Sequence, residues 1–299
     1  MQFRILGTPE LYEETGDRCA PLGAPKPRLL LATLLTRPNS PVPREVLVRE
    51  MWGAEPPVRA FHSLNAHVSF LRRTLLRLEP QGRDTPRLVA RASGYALRVR
   101  PGETDHGLFG RRLARARRTA AHDPEGAHAT LRAALALWRG PVLGGAPYGP
   151  AFARLAAGLE RDRADAMELA FDCALRTGLH ERVLPELREA VAAQPLRERF
   201  HDQLMLALCR CGRPAEAIGV YQRARRDLAG VAGGHTPLLA ARLEQISVCS
   251  PVLTDPAAAP GPVGAPAPAA AFAERAADPS PRSVMGYLTD LLSGQVLAS

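Results

Sequence analysis

The stretch from Pro57 to Val99 decides the fold, and it reads PVRAFHSLNAHVSFLRRTLLRLEPQGRDTPRLVARASGYALRV. Its first part predicts a long amphipathic helix from Pro57 to about Leu78. Its second part, residues 87–99, predicts a short β-hairpin in which arginines recur. A helix followed by a basic hairpin is typical of a winged helix that binds DNA. No other part of the chain argues as strongly for a chemical function.

The predicted helix has one apolar face. At about 100° of rotation per residue, its apolar side chains fall within roughly 60° of one another. The members of this stripe are Leu64, Val68, Leu71 and Leu75, with Phe61 and Leu78 at its margins. Such a stripe must pack against other elements, so we expect it to form part of the core.

The opposite face is predicted to enter a major groove. The candidate DNA contacts on this helix are Arg59, His62, Ala66, Ser69, Phe70, Arg72, Arg73 and Arg77. Ala66 is small enough to let the helix approach the bases closely. Arg73 can make the bidentate contact to guanine that is the most common base-specific contact. The alternative is a surface helix with solvated arginines, and the hairpin argues against it.

The hairpin combines core-facing and basic positions. Leu88, Tyr95, Leu97 and Val99 can face a core in period two, while the residues that alternate with or flank them are Arg87, Arg91, Arg98 and Arg100. Ser93-Gly94 predicts the turn, because glycine tolerates positive φ. Arg91 and Gly94 at the tip are candidate contacts to phosphates or to a narrow minor groove. An ordinary edge hairpin is the alternative.

The elements before this stretch complete a winged helix. Met1 to Gly7 alternates as a strand, Pro25 to Arg28 leads into a short buried helix predicted at Leu29 to Leu35, and Pro41 to Gly53 predicts a second helix. Pro43 suits the first turn of that second helix and Gly53 suits its end. The predicted order is therefore strands, three helices and a hairpin.

Positive charge is concentrated in the same region. Residues 1–100 hold 16 Lys and Arg against 9 Asp and Glu, a net charge of +7, and the whole chain carries +9. Phosphate binding requires such a local excess. Lys26, Arg28 and Arg44 lie near the starts of the first two helices, where backbone N–H groups also favour anions. We therefore expect these three side chains to contact phosphates.

Motifs along the chain make it resemble a known family. They are Pro25-Lys26-Pro27-Arg28-Leu29-Leu30-Leu31-Ala32, Met51-Trp52-Gly53, His67-Val68-Ser69-Phe70-Leu71-Arg72-Arg73, Ser93-Gly94-Tyr95-Ala96-Leu97, Leu135-Ala-Leu-Trp138-Arg139-Gly140, Pro195-Leu196-Arg197-Glu198-Arg199 and Gly212-Arg-Pro-Ala-Glu216-Ala217. In this combination, which covers about residues 1–253, the chain is similar to the Streptomyces antibiotic regulatory protein (SARP) family of pathway-specific transcription activators.

The resemblance implies a mainly α fold with two domains. Residues 1–100 would form an OmpR-type winged helix-turn-helix, with the recognition helix from Pro57 to about Leu78 and the wing at residues 87–99. Residues 101–254 would form an all-helical, tetratricopeptide-like bacterial transcriptional activation domain. Relatives often carry Arg or Lys where this chain has Phe70, so a polar DNA contact would be replaced by an apolar one, for example with a thymine methyl.

The resemblance also implies a function. A protein of this family is expected to bind direct repeats in double-stranded promoter DNA as a homodimer, to recruit RNA polymerase holoenzyme and to activate an antibiotic or other secondary-metabolite gene cluster. The two winged helices would occupy half-sites about one helical turn apart, related by translation along the duplex. A helical domain with two-fold symmetry is compatible with this arrangement only if a flexible joint separates the two domains. Pro101-Gly102 is the candidate joint.

The second half of the chain shows a repeat of its own. Helices are predicted from Asp105 to Ala121 and from Pro124 to Trp138, and Ala151 to Thr177 predicts one long helix or two. A self-similarity of 34 residues follows, and it pairs Gly178 with Gly212, Leu184 with Ile218, Leu187 with Tyr221 and Ala190 with Ala224. This is the spacing of tetratricopeptide helix pairs, which stack into concave surfaces for partners. A generic helical bundle is the alternative.

The last segment has a different composition. Residues 255–282 are dominated by Pro, Ala and Gly, so they are expected to form a disordered linker without a core. Residues 283–299 place Val284, Tyr287, Leu288, Leu291 and Leu292 at helical spacing. They predict either a short C-terminal helix or a frayed tail.

Signals for catalysis, metal and membrane are missing from the sequence. Cys209-x-Cys211 lacks a second ligand pair, so a zinc site is not expected. The only lysine, Lys26, precedes Pro27, so the Gly-Lys-Ser/Thr of a Walker A loop is absent. No apolar run is long enough to span a membrane, and no signal peptide is recognised. We expect a cytoplasmic activator without enzymatic activity, metal or cofactor. The alternative is a tetratricopeptide-like scaffold or ligand sensor whose winged helix contacts protein.

Overall fold

The computed structural model describes residues 1–13, 18–20, 22–79, 86–229, 236–248, 250 and 253. These residues fall in one compact unit, Met1–Gly261. The linker predicted for residues 255–282 and the helix predicted for 283–299 lie outside the described residues. We call residues 1–100 the N-terminal lobe and residues 101–253 the helical lobe.

A small antiparallel sheet opens the N-terminal lobe. Its strands are β1 (Gln2–Arg4), β2 (Glu10–Tyr12) and β3 (Cys19–Ala20), in the order β1-β2-β3. Phe3 of β1 lies opposite Leu11 of β2, and both side chains are fully buried. The strand predicted near the N-terminus is therefore present, although it is shorter than the alternating stretch.

Three helices follow: α1 (Pro25–Leu35), α2 (Arg44–Trp52) and α3 (Ala60–Leu78). Gly53 ends α2 with φ +82° and donates its N–H to the carbonyl of Arg49, as glycine favours at this position. The prediction that Pro43 belongs to the first turn of α2 is wrong. Pro43 and Val42 form a short strand, β4, before the helix begins.

The hairpin consists of β5 (Leu88–Arg91) and β6 (Gly94–Leu97), and the sheet order is β4-β6-β5. Arg91 pairs with Gly94, so the turn is at Ala92-Ser93 and not at Ser93-Gly94 as predicted. Gly94 has φ +153°, and a Cβ at this position would lie 2.0 Å from the carbonyl oxygen of Val42. Glycine is therefore required because β4 and β6 approach each other closely here.

The helical lobe contains α4 (Asp105–Thr119), α5 (Pro124–Leu135), α6 (Pro150–Arg176), α7 (His180–Ala193), α8 (Glu198–Arg210), α9 (Pro214–Ala229) and α10 (Pro237–Ser247). The side chains of Thr104 and Asp123 accept hydrogen bonds from the first turns of α4 and α5, as N-caps do. The stretch predicted as one long helix or two is the single helix α6.

The predicted 34-residue repeat corresponds to two successive helix pairs. Gly178 and Gly212 follow α6 and α8 with φ +78° and +73°, which is the left-handed conformation common after helix ends. Ala190 and Ala224 are both buried. The predicted equivalence of Leu184 and Ile218 does not extend to burial, because Leu184 is buried and Ile218 is exposed.

The two lobes share one hydrophobic core. Phe3 and Leu6 of the N-terminal lobe belong to the same buried cluster as Phe109 and Phe152 of the helical lobe. The core therefore runs across the predicted domain boundary at residue 100.

Buried carboxylates reinforce this junction. Asp105 Oδ2 accepts hydrogen bonds from the backbone N–H groups of Ile5 (2.8 Å) and Leu6 (2.9 Å). Glu50 on α2 accepts from the N–H groups of Ala151 (2.7 Å) and Phe152 (3.1 Å) in the first turn of α6. The prediction of a flexible joint at Pro101-Gly102 is wrong, because burial and charge-assisted hydrogen bonds hold the lobes together on both sides of it.

Candidate nucleic-acid interface

The two faces of α3 are divided as the periodicity predicts. The stripe of Leu64, Val68, Leu71 and Leu75 is buried, and Leu78 is buried with it. Phe61, at the other margin, remains 49% exposed. The exposed positions on the opposite face are Arg59, His62, Ala66, Ser69, Arg73 and Arg77, while Phe70 is half-buried. This face has the basic, uncovered surface that a groove-binding helix needs.

Tyr95 connects the hairpin to α3. Its side chain is buried, and its hydroxyl donates a hydrogen bond to Asn65 Oδ1 at 2.9 Å. Arg72, one of the predicted DNA contacts, is half-buried and donates from Nε to the carbonyl of Leu88 at 2.9 Å. Part of its guanidinium is therefore committed to the hairpin, and Arg72 helps to hold the wing against the helix.

Two arginines lie beside the Tyr95 ring. The guanidinium carbon of Arg44 lies 5.3 Å from the ring centroid, and that of Arg72 lies 5.8 Å from it. These distances are in the range of cation–π attraction. Arg44 is exposed at the start of α2 and also approaches the Tyr95 hydroxyl at 3.5 Å. The arrangement places two positive charges where α2, α3 and the wing meet.

The Lys26 side chain makes contacts within the protein, whereas its position near the start of α1 predicts a contact with phosphate. Its Nζ donates to the carbonyl of Met51 near the end of α2 and lies 5.3 Å from the Trp52 ring centroid. A cation near a helix C-terminus satisfies orphan carbonyls and favours the helix dipole. The structure thus gives Lys26 a structural role, which differs from the predicted phosphate contact.

His67 lies close to both Trp52 and Lys26. Its ring lies 6.1 Å from that of Trp52. Burial, and then the nearby positive charge of Lys26, lower the pKa of His67 below its ordinary value. Both effects favour the neutral imidazole over the charged one.

The remaining predicted contacts differ in accessibility. Arg91 is exposed next to the tip of the hairpin. Gly94 is buried between β4 and β5, so the structure gives it a packing role and no surface for a DNA contact. Arg28 is half-buried, and within the described part of the chain its buried Nε has no hydrogen-bond partner.

Two polar residues of this region are not assigned by the sequence patterns. Asn65 is exposed on the side of α3 that faces the wing, and Tyr95 is predicted only to fill the core. The helical wheel carries a weak signal for Asn65, because it lies about 20° from Arg72 and about 40° from Ser69. Its link to Tyr95 depends on a tertiary contact that periodicity does not report.

A metal site would need several ligating side chains close together. Among the residues described, no group of three or more His, Cys, Asp or Glu side chains is placed to hold a metal ion. None of the described helices has the length and hydropathy needed to cross a membrane.

Two family matches cover most of this structure. Residues 22–97 match the family described as "Transcriptional regulatory protein, C terminal". Residues 104–237 match the "Bacterial transcriptional activator domain". The first range contains α1 to β6, and the second runs from the N-cap of α4 to the start of α10.

Curated relatives align with most of this chain. The regulatory protein DnrI of Streptomyces peucetius is 32% identical over 78% of this chain and 86% of its own length. The transcriptional regulator RedD of Streptomyces coelicolor is 33% identical over 86% of this chain and 73% of its own length. The regulatory protein AfsR of Streptomyces griseus is 34% identical over 88% of this chain, which spans only 26% of AfsR.

A solved structure has the same fold. The structure of Mycobacterium tuberculosis EmbR in complex with a low-affinity phosphopeptide aligns with a TM-score of 0.77 and 30% sequence identity. The alignment covers 86% of this chain and 67% of EmbR. This agreement supports the mainly α architecture with an N-terminal winged helix.

Proposed function

The chain belongs to the Streptomyces antibiotic regulatory protein family of transcriptional regulators, and from this premise we propose that it activates a secondary-metabolite gene cluster by binding promoter DNA through α3 and the wing. The observation that carries the proposal is the exposed basic face of α3. The helix is joined to the wing by the hydrogen bond from the buried Tyr95 to Asn65. The names of DnrI and RedD as regulators support it. A cytoplasmic location follows from contact with promoter DNA.

Salt dependence provides the primary test. Binding to a specific duplex should weaken with salt by a slope of about −0.9 per phosphate contact in a double-logarithmic plot. Weak binding without sequence preference would instead favour a scaffold or ligand sensor whose winged helix contacts protein. No enzymatic activity is proposed.

Arg73 is predicted to read a base. Because it is exposed opposite the apolar stripe, Arg73→Ala should reduce specific affinity by about 1–3 kcal/mol and relax the preference at one base pair. Competition binding against duplexes substituted at each position measures both effects. An equal loss on specific and random DNA would make Arg73 a phosphate contact.

Arg44 and Lys26 are predicted to behave differently despite their equal charge. Arg44→Gln should weaken binding to all duplexes and lower the salt slope by about one unit, since Arg44 is exposed at the start of α2. Lys26→Met is the matched control. It should lower the melting temperature and leave the salt slope nearly unchanged, because Lys26 contacts the Met51 carbonyl and Trp52. A slope reduced as much by Lys26→Met would contradict this assignment.

The junction between the lobes constrains how two protomers would occupy direct repeats. On direct repeats the N-terminal lobes are related by translation along the duplex, and the packed lobes make each protomer move as one body. The protomer contact would then be head-to-tail and not two-fold symmetric. We propose this head-to-tail arrangement, with recruitment of RNA polymerase through the helical lobe.

Half-site spacing tests the arrangement. With half-site centres about 10–10.5 bp apart, an insertion of about half a helical turn should remove cooperativity and spare single-site binding. Gel-shift titration of the two spacings measures the change. Equal affinity for an inverted repeat would overturn the head-to-tail arrangement.

A further inference from the structure

We propose that Asn65 reads a base edge and that Tyr95 of the wing decides which edge it accepts. The inference rests on the proposed binding of DNA by α3. Asn65 is a specificity residue in this proposal, and Tyr95 is a positioning residue that acts through it.

The direction of the hydrogen bond between Tyr95 and Asn65 follows from the two atoms that meet. Tyr95 donates its hydroxyl proton to Asn65 Oδ1 at 2.9 Å, because an amide oxygen can only accept. The same hydroxyl oxygen accepts from Arg44 at 3.5 Å, and this contact does not use its proton. Since Tyr95 is buried and Asn65 is exposed, the hydroxyl approaches the amide from the protein side.

This geometry fixes the polarity that Asn65 presents. With Oδ1 turned toward Tyr95, the other branch of the amide, Nδ2, faces away from the wing contact. In the part of the chain that the structure describes, no residue accepts a hydrogen bond from Nδ2. Asn65 therefore offers two N–H donors on the exposed surface of α3, while its oxygen is turned toward the Tyr95 hydroxyl.

A donor-only amide distinguishes the bases. Guanine presents the acceptors O6 and N7 in the major groove, and thymine presents O4. The usual asparagine contact to adenine is bidentate and needs Oδ1 to accept from the adenine N6 amino group. The Tyr95 hydroxyl competes for that oxygen, so the wild-type protein should favour guanine or thymine over adenine at the base facing Asn65.

The test compares Tyr95→Phe, Asn65→Ala and the double variant on duplexes carrying each of the four bases at each position of the site. The wild-type protein should disfavour adenine at one position by a factor on the order of 5 to 10, the lower part of the range for one base contact. Tyr95→Phe should raise the relative affinity for adenine there several-fold. Asn65→Ala should remove the preference at that position, and Tyr95→Phe should have no further effect in the double variant.

Controls separate positioning from folding. Arg91→Gln changes an exposed side chain next to the hairpin turn and should keep the base preference at this position. Asn65→Ala changes an exposed side chain, so it tests base reading even if Tyr95→Phe lowers stability.

Three outcomes would overturn the inference. The first is a Tyr95→Phe protein that disfavours adenine as strongly as the wild type does. The second is a Tyr95→Phe substitution that shifts the base preference equally in the wild-type and the Asn65→Ala background. The third is an Asn65→Ala protein with an unchanged base preference at every position of the site. A wild-type protein without any base preference would overturn the proposed function as well, whereas specific binding with one of these three outcomes overturns this inference alone.

Discussion

Arg87→Met is expected to lower the free energy of unfolding by about 3–5 kcal/mol, because removing one partner of a buried ion pair leaves the other charge buried without it. Arg87 donates from Nε to Glu79 at 2.6 Å and from its two terminal nitrogens to Glu103 at 2.6 and 2.7 Å. The side chains of Arg87 and Glu79 are each only 5% exposed. The cluster joins the residue just before β5 to the end of α3 and to the start of the helical lobe.

The pH dependence of this effect has a defined sign. Burial alone would raise the pKa of Glu103, but hydrogen bonds from Arg87 and from the Arg100 backbone, together with the charge of Arg87, outweigh it and lower the pKa. A carboxyl whose pKa is lowered on folding stabilises the protein above its unfolded pKa and loses this effect as the pH falls through the folded pKa. The difference between wild type and Arg87→Met should therefore be largest at neutral pH and shrink in acid.

Urea unfolding at neutral and acidic pH measures both statements. The matched control is Arg91→Met at the end of β5, where the side chain is exposed and the change should stay within about 0.5 kcal/mol. If Arg87→Met were no more destabilising than Arg91→Met, the buried cluster would contribute nothing to the fold.

Gly94→Ala is expected to cost about 3 kcal/mol or more, since overpacking of this kind typically costs 1–3 kcal/mol and backbone strain adds to it. The new Cβ would lie 2.0 Å from the Val42 carbonyl oxygen and 2.7 Å from its carbon. Both are backbone atoms, so β4 and β6 must separate. DNA binding should fall with stability, because the displaced strand carries Tyr95.

Gly53→Ala is the control for positive φ alone. Gly53 has φ +82° and ψ −154°, and no atom lies within 4 Å of the place that an added Cβ would take, so the substitution should cost about 1–3 kcal/mol from backbone strain alone. Thermal or urea unfolding ranks the two variants. A Gly94→Ala protein with wild-type stability and lost DNA affinity would instead support the DNA contact that the sequence predicts for Gly94.

Local sequence patterns are sufficient to predict much of the fold. The apolar stripe of α3 is buried as its periodicity predicts, and Arg73 is exposed opposite it. Family membership can also be recognised from the sequence, because short motifs recur in order along the chain. Repeat spacing locates the turns at Gly178 and Gly212, since both need the same left-handed backbone conformation.

The placement of several candidate residues cannot be predicted in this way. The position of Lys26 at a helix start predicts a phosphate contact, but the nearby end of α2 supplies this side chain with a carbonyl and an aromatic ring. The turn signal places Gly94 at the tip of the wing, but the approach of β4 requires it inside the sheet. In both cases the deciding neighbour is remote in sequence.

The sequence by itself determined the element types, the basic face of α3 and the family, because periodicity and charge depend on residues within a few turns of one another. Only the tertiary structure decided that Asn65 meets Tyr95 and that Glu50 and Asp105 bind backbone groups of the opposite lobe. Pro101-Gly102 has the composition of a joint, but the core that forms on both sides of it buries apolar surface continuously. Burial between distant segments outweighs local flexibility, and it is a property of the packed chain that no short stretch contains.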